Sequence, residues 1–150
     1  MKAHFISYGL VGAVLSGLTA CHFNSSRLNS EQDKAIADKL MVDYFSNQKS
    51  NQTQTNMQLF SSRFWQVASR DEMNQIFKKR DEVLGQLQDA SLEKWQTKVT
   101  SGTKPSGEYQ LQYKNTYTKG EAIETFRLER EANDSLKIVY YNINSKEFLR

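Results

Sequence analysis

The chain of 150 residues is 38% hydrophobic and 25% charged, and its 20 Lys and Arg against 17 Asp and Glu leave a formal net charge of +3. The cations are scattered among carboxylates, as in Lys78-Lys79-Arg80-Asp81-Glu82, which excludes the clustered basic face that nucleic acid requires. One Cys and two His leave no internal disulfide, no zinc site built of Cys and His, and no supply of bases for Ser-His-Asp or Cys-His chemistry.

Lys2 and His4 precede an apolar, small-residue run from Phe5 to Leu18, which is too short to span a bilayer comfortably. A basic start, a short apolar core and small residues before a cleavage point are the marks of a secretory signal. The run ends in Leu18-Thr19-Ala20-Cys21, which resembles the lipobox of bacterial lipoproteins. That resemblance implies loss of residues 1–20, a diacylglycerol on the Cys21 sulfur and, in many members, an acyl group on the new amine. Each buried methylene contributes about 0.8 kcal/mol, so two or three chains hold a protein on its membrane. Gram-negative members kept at the inner membrane carry Asp after the Cys. His22 in this chain therefore implies the outer membrane, facing the periplasm. His22 to Asn29 is polar and reaches about 26 Å when fully extended. Residues 21–29 are thus expected as lipidated Cys and tether, and residues 30–150 as a single domain.

Ser30, Glu31 and Asp33 open a helix, and Ile36, Ala37, Leu40, Met41, Tyr44 and Phe45 form one apolar stripe along it, predicting helix from Glu31 to Asn47. Ser46 to Gln58 is rich in Asn, Gln, Ser and Thr. It reads as a polar loop running into a weaker helix marked by Met57, Phe60, Phe64 and Val67. Ser69-Arg70-Asp71-Glu72 is a capping box, and Met73, Ile76, Phe77, Val83 and Leu84 share a face of the helix behind it, which ends at Gly85. The period then becomes two. Trp95, Thr97 and Val99 share one strand face. After a loop from Ser101 to Gly107, Tyr109, Leu111, Tyr113, Asn115 and Tyr117 share the next. Turns at Lys119-Gly120 and Ala132-Asn133-Asp134 separate a third strand, Ala122 to Arg130, and a fourth, Leu136 to Ile143.

Helices followed by hairpin-linked strands predict an α+β domain, with about three helices packed on a curled four-stranded antiparallel meander. The succession of a helix pair, Leu59-Phe60-Ser61-Ser62-Arg63-Phe64-Trp65, a capped helix and long strands ending in Lys137-Ile138-Val139-Tyr140-Tyr141-Asn142-Ile143 is similar to small bacterial envelope domains of the cystatin-like, nuclear-transport-factor-2-like roll. That group contains isomerases and dehydratases as well as binding and inhibitory modules, so the resemblance implies a fold and no particular activity.

In such a roll Trp95, Tyr109, Tyr113, Tyr117 and Phe126, with Tyr140 or Tyr141, are candidates to line a small-ligand pocket or else to fill the core. Glu124 shares a face with Ala122, Phe126 and Leu128 and is the candidate carboxylate of an isomerase-like site, with Asp43 beside Tyr44 as a second nominee. Asn115 and Asn142 are candidate buried polar groups in need of partners. No second catalytic group, calcium-type loop or cofactor motif accompanies them, and no cofactor or metal is expected. The sequence thus predicts a lipid-anchored envelope protein, non-enzymatic, that binds a partner protein or ligand close to the membrane, with a sheet edge suited to strand addition. The alternative is a small-ligand or isomerase-like pocket inside the roll.

Overall fold

The structure, a computed structural model, describes residues 24–149; Cys21 and the signal-like segment lie outside them. A short strand β1 (Ser25–Leu28) precedes helix α1 (Glu31–Lys49), a short helix α2 (Thr53–Met57), a 3-10 turn (Phe64–Gln66) and helix α3 (Arg70–Leu84). Strands β2 (Leu87–Ser101), β3 (Ser106–Tyr117), β4 (Gly120–Arg130) and β5 (Leu136–Asn144) follow, and then a 3-10 turn (Lys146–Leu149).

The expected curled four-stranded meander is corrected. The sheet is an open antiparallel meander of five strands in the order β1-β2-β3-β4-β5; β5 is one edge, and at the other β1 pairs only with Lys98–Ser101, leaving the earlier part of β2 as an edge as well. The extra strand comes from the stretch expected as tether. Ser25–Leu28 pair with Ser101–Lys98 of β2. All four β1 side chains are exposed, so no alternation marks the strand in the sequence. Backbone pairing holds it, helped by an ion pair from Arg27 to the buried Asp33 at 2.8 Å. Asn29 makes the last rung: its N–H donates to the Thr97 carbonyl at 2.9 Å and its Oδ1 accepts from the Thr97 N–H at 3.2 Å. Its φ of 51° then turns the chain off the edge and into α1, a conformation that Asn tolerates better than most residues.

β2 starts well before the Trp95–Val99 alternation because bulges at Leu87/Asp89 and Leu92/Lys94 break the period of two. The second bulge leaves Leu92 and Trp95 on the helix-covered side and both Glu93 and Lys94 exposed. A bulge opposite Arg127/Leu128 resets β5 in the same way, so that Ile138 and Tyr141 both join the core. The weaker helix expected through Val67 divides into α2 and the 3-10 turn. Between them Leu59 and Ser61 exchange backbone hydrogen bonds with Ile138, capping part of the β5 edge.

α1 and α3 cover one face of the sheet. Ala37, Met41, Tyr44 and Phe45 from α1 and Met73, Phe77 and Leu84 from α3 pack with Leu111, Phe126, Leu128 and Ile138 of the sheet into one buried cluster. Burying each large apolar side chain contributes about 1.5–3 kcal/mol, which makes this layer the main source of stability. α3 begins with both halves of its capping box in place: the Glu72 N–H donates to Ser69 Oγ at 3.1 Å and the Ser69 N–H to Glu72 Oε2 at 2.8 Å. It ends at Gly85, whose φ is 78° and whose missing Cβ would stand 2.1 Å from Thr118 Oγ1.

Candidate functional site

Strand alternation puts Ala122, Glu124, Phe126 and Leu128 of β4 under the helices. Glu124 is fully buried there. Its Oε1 accepts hydrogen bonds from Asn115 Nδ2 at 2.8 Å and from the Tyr117 hydroxyl, and its Oε2 accepts from the Tyr141 hydroxyl at 2.9 Å. Gln48 Nε2 of α1 donates in turn to the Tyr117 oxygen at 2.9 Å. Both oxygens are occupied by donors from the core, the bonding pattern of a carboxylate.

The balancing charge is Arg80 of α3, only 3% exposed. Its Nε donates to Asp81 Oδ1 at 2.8 Å and its guanidinium stacks 4.8 Å from the centre of the Phe77 ring. Burial acts to lower the Arg80 pKa, but Tyr44, Tyr141, Asp81 and Glu124 reverse that and hold it above its ordinary value. Burial first and the Glu124 charge second push the Tyr44, Tyr117 and Tyr141 hydroxyls above the usual tyrosine range. The Tyr44 hydroxyl and Arg80 Nη1 make no hydrogen bond within 3.5 Å among the described residues, though Arg80 and Tyr141 lie near enough to act against burial and Glu124 on the Tyr44 hydroxyl.

Of the residues nominated from the sequence, Tyr117 and Glu124 are in direct contact. Phe126 lies beside them, its ring centre 5.0 Å from Tyr44 in an edge-on contact. Tyr113 pairs with Glu124 across the strands, yet its ring packs 4.8 Å from Phe45. Tyr109 and Trp95 stand apart. The Tyr109 hydroxyl accepts from Arg130 Nη2 at 3.0 Å, and half-buried Trp95 lies under Lys34 Nζ at 5.9 Å. Asn115 is buried with Glu124 as its partner, whereas Asn142 and Asp43 are exposed. Cys21 lies outside the described residues. Sequence reasoning missed Gln48 and Arg80. Arg80 stands in the mixed-charge run Lys78–Glu82, but it falls in step with Met73, Phe77 and Leu84 on the buried side of α3.

Of the hollows along the margins of the helix layer, two lie between a helix and the sheet strand beside it. The larger, of about 590 Å³, runs between α1 and β2 over Met41, Val42, Phe45, Leu92 and Tyr113, with Lys49 at its rim. Val42 is 67% exposed in its wall. The smaller, of about 250 Å³, lies between α3 and β5 over Ile76, Tyr141, Ile143 and Phe148. Among the described residues there is no cluster of three or more His, Cys, Asp or Glu able to hold a metal ion, and no helix long and apolar enough to cross a membrane. Comparison with protein-family models, with curated proteins and with solved structures finds no match to this chain.

Proposed function

We propose that this chain is a lipid-anchored protein of the bacterial envelope that works by binding a protein partner at the membrane surface, through the β2 edge and the groove beside it. The observation that carries this reading is a contrast within one molecule. The helix–sheet interface is closed around Glu124, whose oxygens are taken by Asn115, Tyr117 and Tyr141. The groove between α1 and β2 is open, and it lies on the strand that β1 pairs with as the chain enters the domain. A general base must come within hydrogen-bond reach of its substrate, and a carboxylate enclosed by its own core does not. An exposed strand edge offers a row of backbone donors and acceptors that an extended partner reads directly. The lipobox-like Leu18-Thr19-Ala20-Cys21 supports the anchoring part, with Cys21 as the lipidated residue. With β1 starting at Ser25, the span from Cys21 to the sheet reaches only about 13 Å.

The test is site-specific photo-crosslinking from Val42 and Ser91 in native membranes, alongside Cys21→Ser. The reading expects a recurrent protein adduct from both positions and accumulation of uncut, unlipidated precursor in the Cys21 variant. A small molecule co-purifying in place of any protein adduct would favour the ligand-pocket alternative, for which the groove has adequate volume. Normal processing and anchoring of Cys21→Ser would end the lipoprotein assignment.

A further inference from the structure

We propose that the face of the sheet turned away from the helices is a binding surface for a polysaccharide strand, a ligand distinct from the protein partner at the β2 edge. The strand register lays two straight rows of side chains across this face. The first runs Gln96–Gln110–Arg127–Tyr140 and the second Lys94–Gln112–Thr125–Asn142, each taking one residue from β2, β3, β4 and β5 in turn. Gln112 and Thr125 are half-buried, and the other six are exposed. Neighbouring strands lie about 4.8 Å apart, so each row is a path of roughly 14 Å across the sheet.

A solvated face of an antiparallel sheet is polar as a rule. The kind of polarity here is what points to a ligand. Half of the side chains in the two rows are amides, and neither row contains a carboxylate. Gln96, Gln110, Thr125 and Asn142 make no side-chain hydrogen bond among the described residues, and Gln112 makes only a long one, to Glu93 Oε2 at 3.5 Å. An amide donates and accepts at once, as the hydroxyl and acylamino groups of a sugar do, so a lattice of free amides matches the edge of a sugar chain. Tyr140, 46% exposed, ends the first row with the Arg127 guanidinium 5.9 Å from its ring centre. Its ring offers apolar surface to the C–H face of a sugar while its hydroxyl stays in water. A hollow of about 140 Å³ opens along the same row against Gln96, Gln110 and Arg127, and its wall also includes Leu28, Lys98 and Glu108. Other ligand classes fit less well. Tyr140 is the one large apolar side chain in the two rows, too little for the core of a protein interface. Lys94 and Arg127 are their only cations, too few to follow a nucleic-acid backbone.

The test is co-sedimentation of the full chain, purified in detergent, with insoluble peptidoglycan, the polysaccharide that the envelope reading makes the natural probe. The wild type is expected to sediment with it and to be released by soluble glycan strands stripped of their peptides. Tyr140→Ala and Gln110→Ala, both at exposed positions, should each weaken binding roughly fivefold, through loss of the ring surface and of one amide. Lys78→Ala, on α3 across the sheet, should leave binding unchanged. No sedimentation overturns the proposal, and so does sedimentation that Tyr140→Ala and Gln110→Ala both leave intact, which is adsorption by charge. Release by the free stem peptides but not by glycan strands overturns it as well. Photo-crosslinking from Val42 and Ser91 reads the β2 edge and its groove separately, so failure here and failure of the partner reading are told apart.

Discussion

Glu124 and Arg80 are both buried between the helices and the sheet, 0% and 3% exposed, yet no ion pair within 4.0 Å joins them. Tyr44 and Tyr141 stand in the field of both. Glu124 also acts on Arg80 directly through its field, so each charge depends on the other without touching it.

Removing one of them should cost more than removing both. Glu124→Gln leaves Arg80 its bridge to the half-exposed Asp81 but not the buried carboxylate, and Arg80→Met leaves Glu124 with only its neutral donors Asn115, Tyr117 and Tyr141. Breaking a buried pair by deleting one partner costs roughly 3–5 kcal/mol, whereas replacing the whole pair is often nearly neutral. Urea unfolding of the two single variants and the double variant should show a double-mutant cost well below the sum. A strictly additive result would mean that the two charges are independent.

The domain should lose stability in alkali. Tyr44, Tyr113, Tyr117 and Tyr141 are all held above the ordinary tyrosine value, chiefly by burial. The unfolded chain then releases these protons first, so the stabilisation is whole below about pH 10 and is lost as pH climbs toward the folded-state values. Each such tyrosine contributes a slope of about 1.4 kcal/mol per pH unit in that window. Tyrosinate absorbance and far-ultraviolet circular dichroism should change together. Tyrosinate forming fully in a chain that keeps its ellipticity would contradict the buried network.

The α3 cap gives an acid-side counterpart. The Ser69 N–H and hydroxyl hold Glu72 below its ordinary carboxylate value. The stabilisation this carries is present above that ordinary value and disappears as pH falls through the depressed one. Ser69→Ala should cost about 1 kcal/mol near neutral pH, and the gap from wild type should narrow in acid. An equal gap at both pH values would show that the carboxylate plays no part in the cap.

Gly85→Ala should destabilise by roughly 2 kcal/mol or more, for two separable reasons. The added Cβ meets Thr118 Oγ1 at 2.1 Å, and a φ of 78° is strained for Ala. Thr118→Ala in the same chain should restore only the part due to the clash. Complete rescue, read from thermal unfolding, would assign the whole cost to sterics.

How much of this was legible in the sequence follows from which residues carry a period. The capping box at Ser69, the stripe on α1 and the alternating β3 and β4 are local patterns, and each appears where its pattern lies. β1 was not legible, because its four side chains are exposed and only its backbone is used. The early part of β2 was hidden by bulges, which shift the period without any residue type that announces them. Glu124 was recognised as a carboxylate on an apolar face. Its three donors come from β3 and β5, which only the register of the sheet brings together. The same register buries Tyr109, Tyr113, Tyr117 and Phe126 against the helices.

The Asn29 turn has a mechanical consequence. A pull arriving along the chain from residue 24 loads β1 before it loads anything else. Drawn along the strand, the rungs from Ser25 to Leu28 share the force; drawn away from the edge, they open one after another, after the bond from the Thr103 N–H to Asn24 Oδ1 at 3.1 Å. Either way the Arg27–Asp33 bridge, the Asn29–Thr97 bonds and the bond from the Ser30 N–H to Thr97 Oγ1 are the last fastenings before α1. Letting go as far as Asn29 pays out about 16 Å of chain while the helices and the other four strands stay folded. The first strand is thus a reel of slack: were the N-terminus held, the distance at which this domain rides from the point of attachment would change with tension.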